Sequence, residues 1–134
     1  MKYEEWKWND SLITSEEMVD YQHKNLFRTI NDLIRACNES ETPNGLLVEV
    51  GLDELLKYAT YHFKEEEQVM EKHQYPELEA HKIEHNEFAS VMGIFKSRFD
   101  KGEEIADELL TFMHRWLINH IMTKDKLAMK FCVS

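Results

Sequence analysis

Residues 46–72 read LLVEVGLDELLKYATYHFKEEEQVMEK, and Leu46, Val50, Leu52, Leu55, Leu56, Ala59, Phe63, Val69 and Met70 recur along them at helical steps. The pattern predicts one amphipathic helix over about 46–72, entered from the turn cluster Thr42-Pro43-Asn44-Gly45. Downstream, Tyr75-Pro76-Glu77 offers a proline suited to a first helical turn, followed by acidic residues that complement the positive dipole end. A helix over about 76–100 follows. Its last turns carry Lys96, Arg98 and Lys101, and Gly102 marks the break before a further helix over about 103–130, whose Lys124, Lys126 and Lys130 suit a carboxyl end. Upstream, Thr14-Ser15-Glu16-Glu17 has the spacing of a capping box, and Met18, Val19, Leu26, Ile30, Leu33, Ile34 and Cys37 continue a helix over about 15–38. Residues 1–14 form an arm containing Trp6 and Trp8. Four helices joined by short turns predict an all-α, antiparallel up-down-up-down bundle forming one domain over 1–134. Gly51 and Gly93 fall inside helices, at a cost of about 1 kcal/mol each relative to Ala, and close helix packing is the expected reason.

Composition agrees with long helices. Of 134 residues only 4 are Gly and 2 Pro, so few positions break regular structure, and 43% hydrophobic residues can fill a core. With 16 Lys+Arg against 26 Asp+Glu the net charge is −10, which excludes non-specific binding to nucleic acid or an anionic membrane. Cys37 and Cys132 form no CxxC pair and fall at opposite ends of the predicted bundle, about 35 Å apart at the helical rise, so free thiols in a reducing compartment are expected. The start of the chain lacks a signal-like apolar core and no run of 18 apolar residues occurs, so the expected address is cytoplasmic.

The seven histidines carry the chemistry. His62 precedes Glu66 by four residues and His81 precedes His85 by four, each pair lying on one helix face, while His120 precedes Asp125 by five. Five residues rotate an ideal helix by about 140°, so His120 and Asp125 converge only if a side chain reaches around or the helix distorts. Any one such pair is ordinary on a solvated face. Height along the bundle is more telling. Counted from the turns, His23, His62, Glu66, His81, His85, His120 and Asp125 fall at one level to within about 5 Å, with all four helices contributing. Five imidazoles and two carboxylates exceed the four ligands of a zinc ion and suit two metals. Imidazole favours Fe, Cu, Ni or Zn, and bridging carboxylates favour iron. Two octahedral ions need about twelve positions; these ligands supply about nine and a bridging oxo or hydroxo group two more, which leaves one open. His73, in a turn, and His114, rotated away from His120, fall outside the pattern, and Glu65 and Glu67 are expected on the solvated face. A ferritin-like site would need Glu-x-x-His pairs and a zinc hydrolase His-Glu-x-x-His; the chain has neither.

Taken together, Asp20-Tyr21-Gln22-His23-Lys24 with Leu26-Phe27, His62-Phe63 with Glu66-Glu67 and Met70, Tyr75-Pro76, His81-x-x-x-His85-x-x-Phe88 and Trp116-x-x-x-His120-Ile121-x-x-x-Asp125 resemble the hemerythrin family, in particular its single-domain bacterial members. The five-residue step is itself a feature of that family, and Ser15-Glu16, where small or apolar residues are commoner, is the one departure. The resemblance implies two non-haem iron ions and reversible dioxygen binding: His81, His85 and His120 on one iron, His23 and His62 on the other, and Glu66 and Asp125 bridging. Near the open iron, helical spacing nominates Leu26, Phe63, Leu117 and Ile121 as the dioxygen pocket, with Trp116 and Phe27 behind them. The implied role is oxygen carriage, storage, supply or sensing by a monomer or small homo-oligomer, with a reductase or oxygen-consuming enzyme as partner. The alternative is a di-iron oxidase, peroxidase or nitric-oxide-handling enzyme using the same centre.

Overall fold

A computed structural model describes residues 2–40, 42 and 45–133. It has helices α1 (Glu17–Glu39), α2 (Leu46–Lys72), α3 (Leu78–Asp100) and α4 (Ala106–His120), then a π-helical turn (Ile121–Asp125) that runs into α5 (Lys126–Val133). α1 packs along α2, α2 along α3 and α3 against α4, and α5 returns to α2, giving the expected four-helix bundle with α4, the π turn and α5 as its fourth rod.

The helix ends show where local chemistry departs from the sequence pattern. The N-cap of α1 is Glu16, whose carboxylate accepts from the Met18 N–H at 3.1 Å, in place of a Thr14–Glu17 box. The Thr14 hydroxyl instead accepts from the Glu16 N–H at 3.1 Å, and Asp20 takes the Thr14 N–H at 2.7 Å, so the helix starts at Glu17. Pro76 sits in a turn before α3, where the Leu78 N–H reaches back to the Tyr75 carbonyl at 3.2 Å, and the helix begins two residues later than expected. α3 closes on Gly102, at φ 89°, with the Gly102 and Glu103 N–H groups donating to the Phe99 and Arg98 carbonyls; α2 closes in the same way on Gln74, at φ 53°. Of the turn into α2, Pro43 and Asn44 lie outside the described residues.

Gly51 has the packing reason expected of it, since a Cβ there would lie 3.3 Å from the Leu33 Cα across the α1–α2 contact. Gly93 does not, because a Cβ would meet nothing within 4 Å.

The arm lies antiparallel along α1, held by two reciprocal amide pairs. Asn38 accepts from the Tyr3 N–H and donates to its carbonyl at 2.9 and 2.8 Å, and Asn31 does the same for Trp6 at 2.7 and 2.9 Å. Three extended residues span about 10 Å and seven helical residues about 10.5 Å, so the two pairs share one register. Farther along, Leu12 in a 3-10 turn (Asp10–Leu12) packs with Phe27 and Ile121.

The core is split. One apolar cluster, including Leu26, Ile30, Leu55, Phe63, Phe88 and Leu117, fills one end of the bundle; Val19, Met70, Ala128, Met129 and Cys132 fill the other. The level between them, spanned by His23 on α1, Glu66 on α2, His81 on α3 and Asp125 on the fourth rod, is polar. Cys37 packs against the first cluster and Cys132 within the second, and both are free thiols.

Candidate metal centre

Seven polar side chains occupy that level, each no more than 3% exposed: His23, His62, Glu66, His81, His85, His120 and Asp125. On α2 and α3, steps of four residues put His62 with Glu66 and His81 with His85. On the fourth rod, the π turn resolves the awkward step of five. Its i→i+5 pairing, with the Lys126 N–H on the Ile121 carbonyl, turns residues five apart onto one face and sets His120 Nε2 3.0 Å from Asp125 Oδ1.

The ligand atoms fall into two groups that share both carboxylates: Glu66, His81, His85, His120 and Asp125 form one, and His23, His62, Glu66 and Asp125 the other. Glu66 turns Oε1 toward His81 and His85, at 3.2 and 3.3 Å, and Oε2 toward His62 and His23, at 2.9 and 3.2 Å. Asp125 turns Oδ1 toward His81 and His120, at 2.9 and 3.0 Å, and Oδ2 toward His23, at 3.1 Å. In the larger group His120 Nε2 lies 3.1 Å from the Nε2 atoms of both His81 and His85. Adjacent ligands bound at about 2.1 Å at right angles stand about 3 Å apart, so these rings fit one face of an octahedron around a cation.

Electrostatics agree. Burial alone would push His23 down, but Asp125 and Glu66 lift it to about 10; the same opposition lifts His81 to about 9 and raises His120. Burial works to raise Glu66 and Asp125, yet the facing imidazoles hold both below the ordinary carboxylate range. Protons and metal ions compete for these nitrogens, so metal loading releases protons.

An outer layer holds the rings. His62 Nδ1 donates to Gln22 Oε1 at 2.8 Å, His85 Nδ1 to Glu67 Oε2 at 2.7 Å and His120 Nδ1 to Glu84 Oε1 at 3.1 Å. Glu67, expected on the solvated face, is instead half-buried against His85. His73 donates to the Val69 carbonyl and His114 sits edge-on to Trp6, both exposed and away from the cluster.

The nominated apolar residues divide. Leu26, Phe63 and Leu117 share the larger cluster, while Ile121 joins Leu12 and Phe27 beneath the arm. The Phe63 ring stacks on His85 at 4.0 Å and 12°, and reaches its chain neighbour His62 only at 5.8 Å. Trp116 is nearer the centre than a backing layer would be, stacked on His120 at 4.4 Å and 15°. Phe27 makes T-shaped contacts with Trp6 and Trp8, each at 5.4 Å between ring centroids.

A four-helix bundle whose buried level presents five imidazoles and two shared carboxylates is a protein built to hold a pair of metal ions. The model of the hemerythrin HHE cation binding domain matches residues 14–132. The chain is 36% identical to the bacteriohemerythrin of Stenotrophomonas maltophilia, over 89% of this chain and 76% of that one. It is 36% identical to the bacteriohemerythrin of Methylococcus capsulatus, over 85% and 86%, and 30% identical to the myohemerythrin of Theromyzon tessulatum, over 91% and 89%. A crystal structure of wild-type hemerythrin superposes with a TM-score of 0.86 at 30% identity, covering 96% of this chain and 98% of that one. The chain belongs to the hemerythrin family, whose members hold a non-haem di-iron centre.

Proposed function

We propose that the chain binds dioxygen reversibly at this di-iron centre, with His81, His85 and His120 holding one iron, His23 and His62 the other, and Glu66 and Asp125 spanning both. The observation that carries this reading is the division of each carboxylate, one oxygen toward each group of rings. His81, His85 and His120 with the two carboxylates would offer one ion five donors, and His23 and His62 with the same carboxylates would offer the other four, so the two-ring side would be the one with room for a small molecule. Two ferrous ions supply the two electrons that reversible dioxygen binding draws on.

The protein's own contribution is geometry and dryness. The outer hydrogen bonds fix which nitrogen of His62, His85 and His120 faces inward. Leu26, Leu117 and Ile121, each 1% exposed, and Phe63 exclude water that would promote irreversible oxidation. This closed apolar cover supports carriage, storage, supply or sensing of dioxygen over turnover of a larger substrate. The free thiols of Cys37 and Cys132 support a reducing, cytoplasmic setting, and no helix among the described residues is long and apolar enough to cross a membrane.

The test is iron content per chain, then anaerobic reduction and admission of air while the near-ultraviolet and visible charge-transfer bands are followed. Two irons, a colourless reduced form and a colour on aeration that bleaches under vacuum are expected. Colour that forms only with irreversible oxidation, or that turns over with added reductant, overturns the carrier reading in favour of an enzyme.

A further inference from the structure

On the α3–α4 face a groove of about 810 Å³ is floored by Phe95, Phe112 and Trp116 and rimmed by Thr111, Arg115 and Asn119. Its size is that of a small-molecule site, which spans roughly 300–1,000 Å³. Trp116 lines this groove and also stacks on the ligand ring of His120. One indole therefore separates the groove from the metal level. Phe88, 4.7 Å from Trp116, extends the aromatic contact to Phe112.

The charges at the groove are unequal in what they already bind. Glu108 is taken by both terminal guanidinium nitrogens of Arg98, at 2.8 and 3.1 Å, and Asp107 lies near the Tyr3 hydroxyl, where together with burial it pushes that phenol's pKa up. Arg115 is exposed and makes no ion pair with any described residue, in a chain where 26 acids outnumber 16 Lys and Arg. An aromatic floor beside a guanidinium left for another partner complements a flat aromatic anion: the rings stack and the guanidinium takes the phosphate or carboxylate.

We propose that this groove binds reduced flavin mononucleotide and that Trp116 conducts its electrons to the centre through His120. The anionic reduced flavin gives two electrons and one proton. Two ferric ions become ferrous, the flavin leaves oxidised, the proton passes to solvent at the open groove, and no bond forms between flavin and protein. The inference rests on the di-iron reading, and it identifies the class of reductant that reading requires.

The test uses the iron-loaded protein, with iron content and the colour cycle measured on the same sample so that failure of the di-iron reading shows separately. Oxidised flavin mononucleotide is titrated by its fluorescence. The ferric form is then mixed anaerobically with reduced flavin mononucleotide or, as control, with dithionite. Flavin fluorescence is quenched on binding, and the reduction rate saturates with flavin. Arg115→Glu raises both the dissociation constant and the half-saturating concentration about tenfold while the dithionite rate stays put. Trp116→Leu lowers the saturated rate about tenfold; if that variant does not fold, Thr111→Trp, which fills the groove from an exposed position, must raise half-saturation instead. A rate that stays linear in flavin, or an Arg115→Glu protein that binds flavin like the parent, overturns the proposal.

Discussion

The two halves of the centre share their carboxylates but not their surroundings. On the three-ring half, His85 and His120 each donate to an outer carboxylate, Glu67 or Glu84, and each is stacked by an aromatic ring, Phe63 or Trp116. On the two-ring half, His62 donates to the neutral amide of Gln22, and the fully buried Nδ1 of His23 has no hydrogen-bond partner among the described residues. An anionic acceptor orients an imidazole and makes it a stronger donor to metal. On the proposed assignment the three-ring half is the anchor and the two-ring half the place where ligation is free to change, the division of labour that reversible gas binding needs.

The largest effect comes from breaking what the halves share. Glu66→Ala removes one oxygen from each group and leaves His23, His62, His81 and His85 without a common anion. Iron bound per chain is expected to fall from two to near none with helicity retained by circular dichroism. Retention of one tightly bound iron would show that the three-ring half stands alone.

Exchanging the outer acceptors changes one half at a time. Glu67→Gln keeps the shape but removes the charge behind His85, and should weaken iron at the three-ring half by about 10- to 100-fold in chelator competition. Gln22→Glu gives His62 the carboxylate that His85 already has and should strengthen the other half, narrowing the difference. Mössbauer spectra, which resolve the two iron environments, assign each effect to its half. Equal loss from both halves in Glu67→Gln would refute the asymmetry.

Smaller effects are expected from the cover. Leu117→Ala opens a cavity at a cost of about 2–5 kcal/mol and admits water, so autoxidation should quicken several-fold. An unchanged rate removes Leu117 from the gating role.

How much of this the sequence discloses depends on the range of the interaction. The four rods are legible because their apolar residues repeat at helical spacing, and the convergence of seven buried polar side chains is legible because antiparallel helices convert residue counts into heights. The π turn is not, since Ile121-Met122-Thr123-Lys124-Asp125 carries no local signal for i→i+5 pairing; only the demand that His120 and Asp125 meet implies it. The helix starts at 78 and 106 are missed because Pro76 and Gly102 punctuate the turns rather than the first helical residues. The outer carboxylates were within reach. Glu67 and His85 are each about nine residues from Pro76, and Glu84 and His120 each about eighteen from Gly102, so the height count that gathers the ligands also gathers their acceptors.

The smallest effect is the pH dependence of stability, and it separates the metal-free protein from the loaded one. His23, raised from 6.5 to about 10, and His81, raised to about 9, stabilise the metal-free fold fully below pH 6.5 and progressively less as pH climbs through those values. Glu66 and Asp125, held below 4.5 and 3.8, contribute above those values and lose their contribution as pH falls beneath them. These are the same ion pairs seen from either partner, so the metal-free fold should be most stable between about pH 4.5 and 6.5. Its Tm should fall by several degrees toward pH 10, as each 1 kcal/mol moves the Tm of a domain this size by roughly 3–6 °C. Iron replaces those protons on the rings, so the loaded protein should show no matching decline. Because His23 belongs to the two-ring half and titrates last, the upper end of the metal-free decline reports that half. His23→Gln should end the decline about one pH unit lower, near the value set by His81. Thermal melts of both forms from pH 4 to 10 measure this, and a metal-free protein whose Tm is flat from pH 6 to 10 would mean that its rings are not held by the carboxylates in the way the geometry implies.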